Sequence, residues 1–175
     1  MKKIFTVLAA ALMMTVNASA QHEIGGIVGG LMGASYKYWF NDNLALQADL
    51  AVGLTQAAGN ESGFSWNTGM YDLTINPNAL YHFQLPANFK IYTGGGINFG
   101  MVNYLNGGTS ETAMGKFGIN AVAGVSYDIQ AVPLVLAFDF RPGYGLGFWG
   151  EKDWTPSGTL NFFDWKIAFA VRYKL

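Results

Sequence analysis

The chain contains no cysteine and only two histidines in 175 residues. Without cysteine there is neither a disulfide framework nor a lipid-modified N-terminal cysteine, and His22 and His82, far apart in sequence, make no zinc site. No metal or cofactor is therefore expected. Charge is also scarce. Asp, Glu, Lys and Arg supply 12% of the residues, about half the share of a typical soluble domain. No basic run offers the phosphate-neutralising surface that nucleic acid requires, so nucleic acid is excluded as a partner. Nor does any apolar run beyond the N-terminal segment reach the roughly 20 residues of a membrane helix. An apolar content of 51% must then be spread along alternating strands.

The N-terminal segment has the three parts of a secretory leader: Lys2 and Lys3, an apolar stretch from Ile4 to Val16, and Ala18-Ser19-Ala20 as a small-residue cleavage site. The apolar stretch is too short to cross a bilayer of about 30 Å as a helix. Residues 1–20 are expected to be removed and residues 21–175 to form one domain. Without Lys2 and Lys3, eight basic residues face eleven acidic ones, a net charge of −3 over 155 residues.

What is abundant is alternation. In FFDWKIAFAVRYKL, Phe163, Trp165, Ile167, Phe169, Val171, Tyr173 and Leu175 share one face, and Asp164, Lys166, Ala168, Ala170, Arg172 and Lys174 the other. Side chains alternate across a strand, so this is a wall with one apolar side and one polar side. The same pattern places strands at about 22–29, 34–40, 44–56, 69–83, 89–103, 115–128, 133–147 and 162–174, eight in all. Short turns follow at Asn41 to Asn43, Gln84 to Asn88 and Ile129 to Val132; long connections are read at 57–68, 104–114 and 148–161. Alternating short and long connections suit a barrel with periplasmic turns and external loops. Pro77 falls inside the fourth strand, where its missing amide predicts a bulge or bend. Tyr36, Tyr38, Phe40, Phe83, Phe89, Tyr127, Phe148, Trp149 and Tyr173 cluster near strand ends, as interfacial aromatic girdles do.

The leader, the eight alternating strands and the closing WKIAFAVRYKL resemble the small outer-membrane β-barrels of Gram-negative bacteria, the OmpX and OmpA transmembrane-domain type. The resemblance implies an all-β, eight-stranded antiparallel up-and-down transmembrane barrel in the outer membrane. It implies outer-membrane lipid as surroundings, and periplasmic chaperones and the barrel-assembly machinery as partners during biogenesis.

By parity, Lys37, Asp49, Asp72, Lys90, Asp139, Arg141, Asp164, Lys166 and Arg172 point inward. An eight-stranded barrel is just wide enough for side chains to fill it, so these groups are expected to pair as a structural plug. A narrow gated channel through Asp49, Asp139 and Arg141 is the alternative. Glycines at 94, 96, 100, 118, 124, 143, 145 and 147 would leave room beside the charges. No catalytic constellation emerges. Both histidines fall at the periplasmic end, the wrong end for lipid A chemistry, and GGG at 94–96 lacks the following GK[ST] and helix of a phosphate loop. Phe64, Trp66, Trp149 and Trp154, in the expected external loops, are the candidates for contact with an unknown surface ligand. A soluble lipocalin-like barrel would reverse the polarity and turn the apolar faces inward.

Overall fold

The computed structural model describes residues 22–60, 63–104, 114–150 and 156–175. The leader expected at 1–20 lies outside them. Eight strands follow in order: β1 (His22–Gly29), β2 (Leu31–Trp39), β3 (Leu44–Asn60), β4 (Gly63–Gln84), β5 (Phe89–Tyr104), β6 (Met114–Ile129), β7 (Leu134–Gly150) and β8 (Pro156–Lys174). Each pairs antiparallel with the next, and β8 returns to β1, from Glu23↔Lys174 to Gly29↔Ala168, so the sheet closes as a barrel. Closure leaves no lateral edge unpaired, the condition for a sheet to stand in hydrocarbon.

Polarity runs the way that hydrocarbon demands. Leu46, Leu50, Leu54, Ile75, Ile97, Phe138, Ile167 and Phe169 are exposed on the outer wall, while Gln47, Asp49, Asp72, Asn78 and Arg172 are buried inside. This is the reverse of a lipocalin-like interior. Among the described residues no charged side chain stands in the outward apolar band. Aromatic pairs gather at the end that carries the short turns: His22 Nδ1 lies 2.7 Å from the Tyr36 hydroxyl, and the Tyr38–Phe40 and Tyr81–Phe83 rings meet edge to face at 5.0 Å.

The turns are locally determined. At Asn41 to Asn43 the Asn41 Oδ1 accepts from the amides of Asn43 (2.9 Å) and Leu44 (2.8 Å), an Asx turn that reverses the chain. The β4–β5 turn, Pro86–Asn88, holds Ala87 at φ 60° and Asn88 at φ 63°. Asparagine tolerates the left-handed region, but alanine does not. Ala87→Gly is expected to stabilise the barrel by about 1 kcal/mol, read as a higher urea midpoint in lipid vesicles; an unchanged or lower midpoint would refute the strain.

Three expectations need correction. The connections at 57–68 and 148–161 are largely strand: Ala57↔Trp66 and Gly59↔Phe64 extend the β3–β4 ladder, and Trp149↔Gly158 extends β7–β8. Their Gly, Asn, Ser and Thr content reads as loop, but paired neighbours override weak strand propensity. Phe64, Trp66 and Trp149 thus occupy ladder positions rather than loops; their side chains, and Trp154 altogether, lie outside the described residues. Pro77 carries no bulge. It stays in register with Ala48 of β3, and the β4–β5 ladder lapses at Asn76 and Pro77 and resumes unshifted at Asn78↔Gly96. The missing amide faces β5 alone, so the β3–β4 ladder runs through Pro77 unbroken. Register shifts lie instead between Thr55 and Ala57 and between Trp149 and Gly150.

Candidate functional site

The barrel interior holds the described polar chemistry of this chain, arranged as two ionic clusters with a neutral layer between them. In the first, on the side of the short turns, Arg141 of β7 reaches across to Asp49 of β3 (Nη1 to Oδ2, 2.6 Å) and folds back on Asp139, which its Nη2 and Nε both contact. Gln47 Nε2 donates to Asp49 at 2.9 Å, and the Tyr92 hydroxyl donates to Asp139. Gly124 leaves the space for this pair: a β-carbon there would lie 2.6 Å from the Tyr92 ring and 2.7 Å from Asp139 Oδ1. Arg172 Nε donates to Ser35 Oγ at 2.9 Å.

The second cluster joins β4, β6 and β8. Lys116 Nζ donates to Asp72 at 2.6 Å and also to Asp164, and Lys166 Nζ donates to Asp72 at 2.7 Å and lies 3.7 Å from Asp164. Gly53 is the room for it, since a β-carbon there would be 2.7 Å from both Asp72 Oδ1 and Lys166 Nζ. Two ammonium groups shared by two carboxylates are mutually neutralised, the condition under which buried charge persists. Between the clusters, Thr74, Asn76, Asn78, Asn98 and Asn120 face inward; Asn120 Nδ2 donates to Asn78 Oδ1 at 2.5 Å.

At the short-turn end Lys37 Nζ lies 3.3 Å from His82 Nε2 and 4.8 Å from the Tyr92 ring centroid. His82 is buried between the Trp39 and Tyr92 rings at 4.3 and 4.8 Å. Its ring contacts a lysine and two aromatic rings, not the serine or carboxylate that orients a general base. Among the described residues, no group of three or more His, Asp or Glu side chains is placed to hold a metal ion.

Eight of the nine inward charges read from the sequence are buried: Lys37, Asp49, Asp72, Asp139, Arg141, Asp164, Lys166 and Arg172. Lys90 differs. It sits at the rim, 3.1 Å from Asp128, which Lys174 also contacts at 2.8 Å, and it belongs to neither cluster because its strand begins at Phe89. Sequence reasoning missed Glu23 and Lys116, both buried. Glu23 accepts from Trp39 Nε1 at 2.8 Å and shares inward parity with Ile27 of β1, a signal the glycines of that strand obscured. Lys116 has the parity of Gly118, but it opens β6 beside a stretch read as loop.

No family model matches the chain, and no curated protein matches it by sequence. Its fold does match solved structures. Against the N-terminal β-barrel domain of Pseudomonas aeruginosa OprF the TM-score is 0.53 at 16% identity, covering 89% of this chain and 96% of that one. Neisserial surface protein A gives 0.52 at 17% identity, over 89% and 94%. The outer membrane protein OprG of Pseudomonas aeruginosa gives 0.55 at 13% identity, over 89% and 95%. The architecture is that of the small eight-stranded outer-membrane β-barrels.

Proposed function

We propose that the mature chain is a non-enzymatic integral outer-membrane protein: a closed, charge-plugged barrel that holds its outward strand ends and connections at the cell surface as a platform for adhesion or binding. One observation carries this reading. The outer wall is apolar around the barrel, and the charges of the described strands are turned inward or paired at the rim. Such a wall suits lipid, and such an interior leaves no free acid, base or nucleophile in an open cleft.

Export through the leader, periplasmic chaperones and the barrel-assembly machinery would deliver it. Outer-membrane lipid then surrounds the apolar wall, with the aromatic rows setting its height. Fractionation of cells making the full-length chain tests the location. It should be recovered in the outer membrane and run faster on a gel unboiled than boiled; recovery as a soluble periplasmic protein would end the reading. For the surface role, cells carrying the chain should be retained on immobilised matrix protein or glycan more than cells lacking it. Trp66→Ala with Trp154→Ala should reduce that retention, and equal retention of all strains would remove the binding role.

A further inference from the structure

The barrel changes girth part of the way up its wall. β8 pairs with β1 as far as Gly29↔Ala168, then with β3 through Ala57↔Phe163, Ala58↔Phe162 and Gly59↔Asn161. The wall is therefore eight strands around on the short-turn side of Gly30 and six strands around, β3 to β8, beyond it. The bulge between Thr55 and Ala57 sits at this step and turns β3 from β2 toward β8. At the hairpin tip Gly29 has φ +122°, and a β-carbon there would lie 2.6 Å from the Ile167 carbonyl oxygen, so only glycine lets the tip tuck against β8.

Barrel diameter grows with strand number, and eight strands leave just enough interior for side chains. Six leave less. Into this neck point Ala58, Met70, Val102, Met114 and Phe162, all buried and packed as one apolar cluster, with Thr55 opposite Met70 at its lower edge. Gly147 faces the Phe162 ring, where a β-carbon would lie 2.2 Å away. The ring fits because that wall position carries no side chain.

Directly beneath, the chemistry is different. Lys116 Nζ is 5.4 Å from the Phe162 ring centroid and belongs to the second ionic cluster. That cluster borders a cavity of about 20 Å³ whose lining includes Asn98, Asn120, Asp164 and Arg141, room for about one water. Asn98 Oδ1, Asn120 Oδ1 and Asp164 Oδ1 have no protein partner there, and deeper in the barrel neither do Glu23 Oε2, Gln47 Oε1 or the two terminal nitrogens of Arg172. Buried polar atoms without protein partners are satisfied by ordered water. The ionic interior is thus a place water enters, whereas an apolar constriction closes by shedding it.

We propose that the six-stranded apolar neck, and not the salt bridges, is the permeability barrier of this barrel. The proposal rests on the closed-barrel reading above. The ionic clusters brace the wall from within, and the neck stops ions at the outer end.

Planar-bilayer conductance of the purified, folded chain tests it, with folding of each variant checked by its unboiled gel mobility. The unaltered barrel should be silent. Phe162→Ser should give reproducible conductance steps, while Arg141→Gln, with the neck intact, should remain silent. Should Phe162→Ser fail to fold, Val102→Thr combined with Met114→Gln introduces polarity at nearly constant volume, and the same steps are expected. Folded neck variants that stay silent would overturn the proposal, as would conductance from Arg141→Gln. Conductance from the unaltered chain would defeat the closed-barrel reading as well, which separates the two failures.

Discussion

Replacing Arg141 by methionine should cost the folded barrel about 3–5 kcal/mol, the penalty of breaking a buried ion pair from one side. Arg141 is the contact that ties Asp49 on β3 to Asp139 on β7, and both carboxylates are fully buried. Methionine fills much of the same volume but donates nothing, so two desolvated carboxylates would be left with Ser35, Gln47 and Tyr92 as donors. Lysine should rescue only in part, because one ammonium cannot reproduce a guanidinium fork that spans two acids. Arg141→Met combined with Asp49→Asn should recover more, since one stranded charge is then removed. Urea titration of the barrel folded in lipid vesicles, followed by tryptophan fluorescence or gel mobility, measures all three. A loss below about 1 kcal/mol for Arg141→Met would mean that water already solvates these carboxylates and that the cross-barrel bridge contributes no more than a surface pair does.

The second large effect is expected on the opposite face of the wall. Phe138 and Phe169 are cross-strand partners, both exposed, near the middle of the apolar row that runs along β8 from Tyr173 to Phe163. Phe138→Arg should cost about 2–4 kcal/mol in a bilayer, the depth-dependent penalty for a cation at the midplane of a barrel's lipid face. Tyr173→Arg, at the end of the same row, should cost about 1 kcal/mol or less. The comparison between the two positions matters more than either value. In a barrel standing in water the same changes would replace exposed aromatics by a solvated charge and leave stability nearly unchanged. Equal small costs at both depths in vesicle-folded protein would therefore sink the lipid-facing assignment.

Much of this architecture was legible because strand alternation has a period of two and an apolar surround favours it along the wall. The row from Phe163 to Tyr173 needs no tertiary information to be read as one face, and the parity of Asp49, Asp72, Asp139 and Arg141 follows from their neighbours in the same way. The paired chain ends of a closed antiparallel sheet also follow from an even count of strands. Local chemistry marked the turns at Asn41 to Asn43 and at Pro86, where side-chain oxygens or a fixed φ act over two or three residues.

What could not be read is wherever one strand's conformation depends on another far away in sequence. Residues 57–60 and 63–68 look like loop by composition, and only the ladder between them makes them strand. Pro77 looks like a register break, yet its neighbours hold register on both sides. The pairing of β3 with β8 beyond the first hairpin brings together Ala58 and Phe162, more than half the chain apart, and nothing local to either residue signals it. By itself the sequence determined that this chain makes a closed wall of alternating strands with charge inside and apolar side chains outside, because each residue's face is set by its nearest neighbours. Only the tertiary structure decided which acid meets which base, where the barrel narrows from eight strands to six, and that Phe162 fills that narrowing, because those depend on the register and closure of strands that meet only when the sheet rolls up.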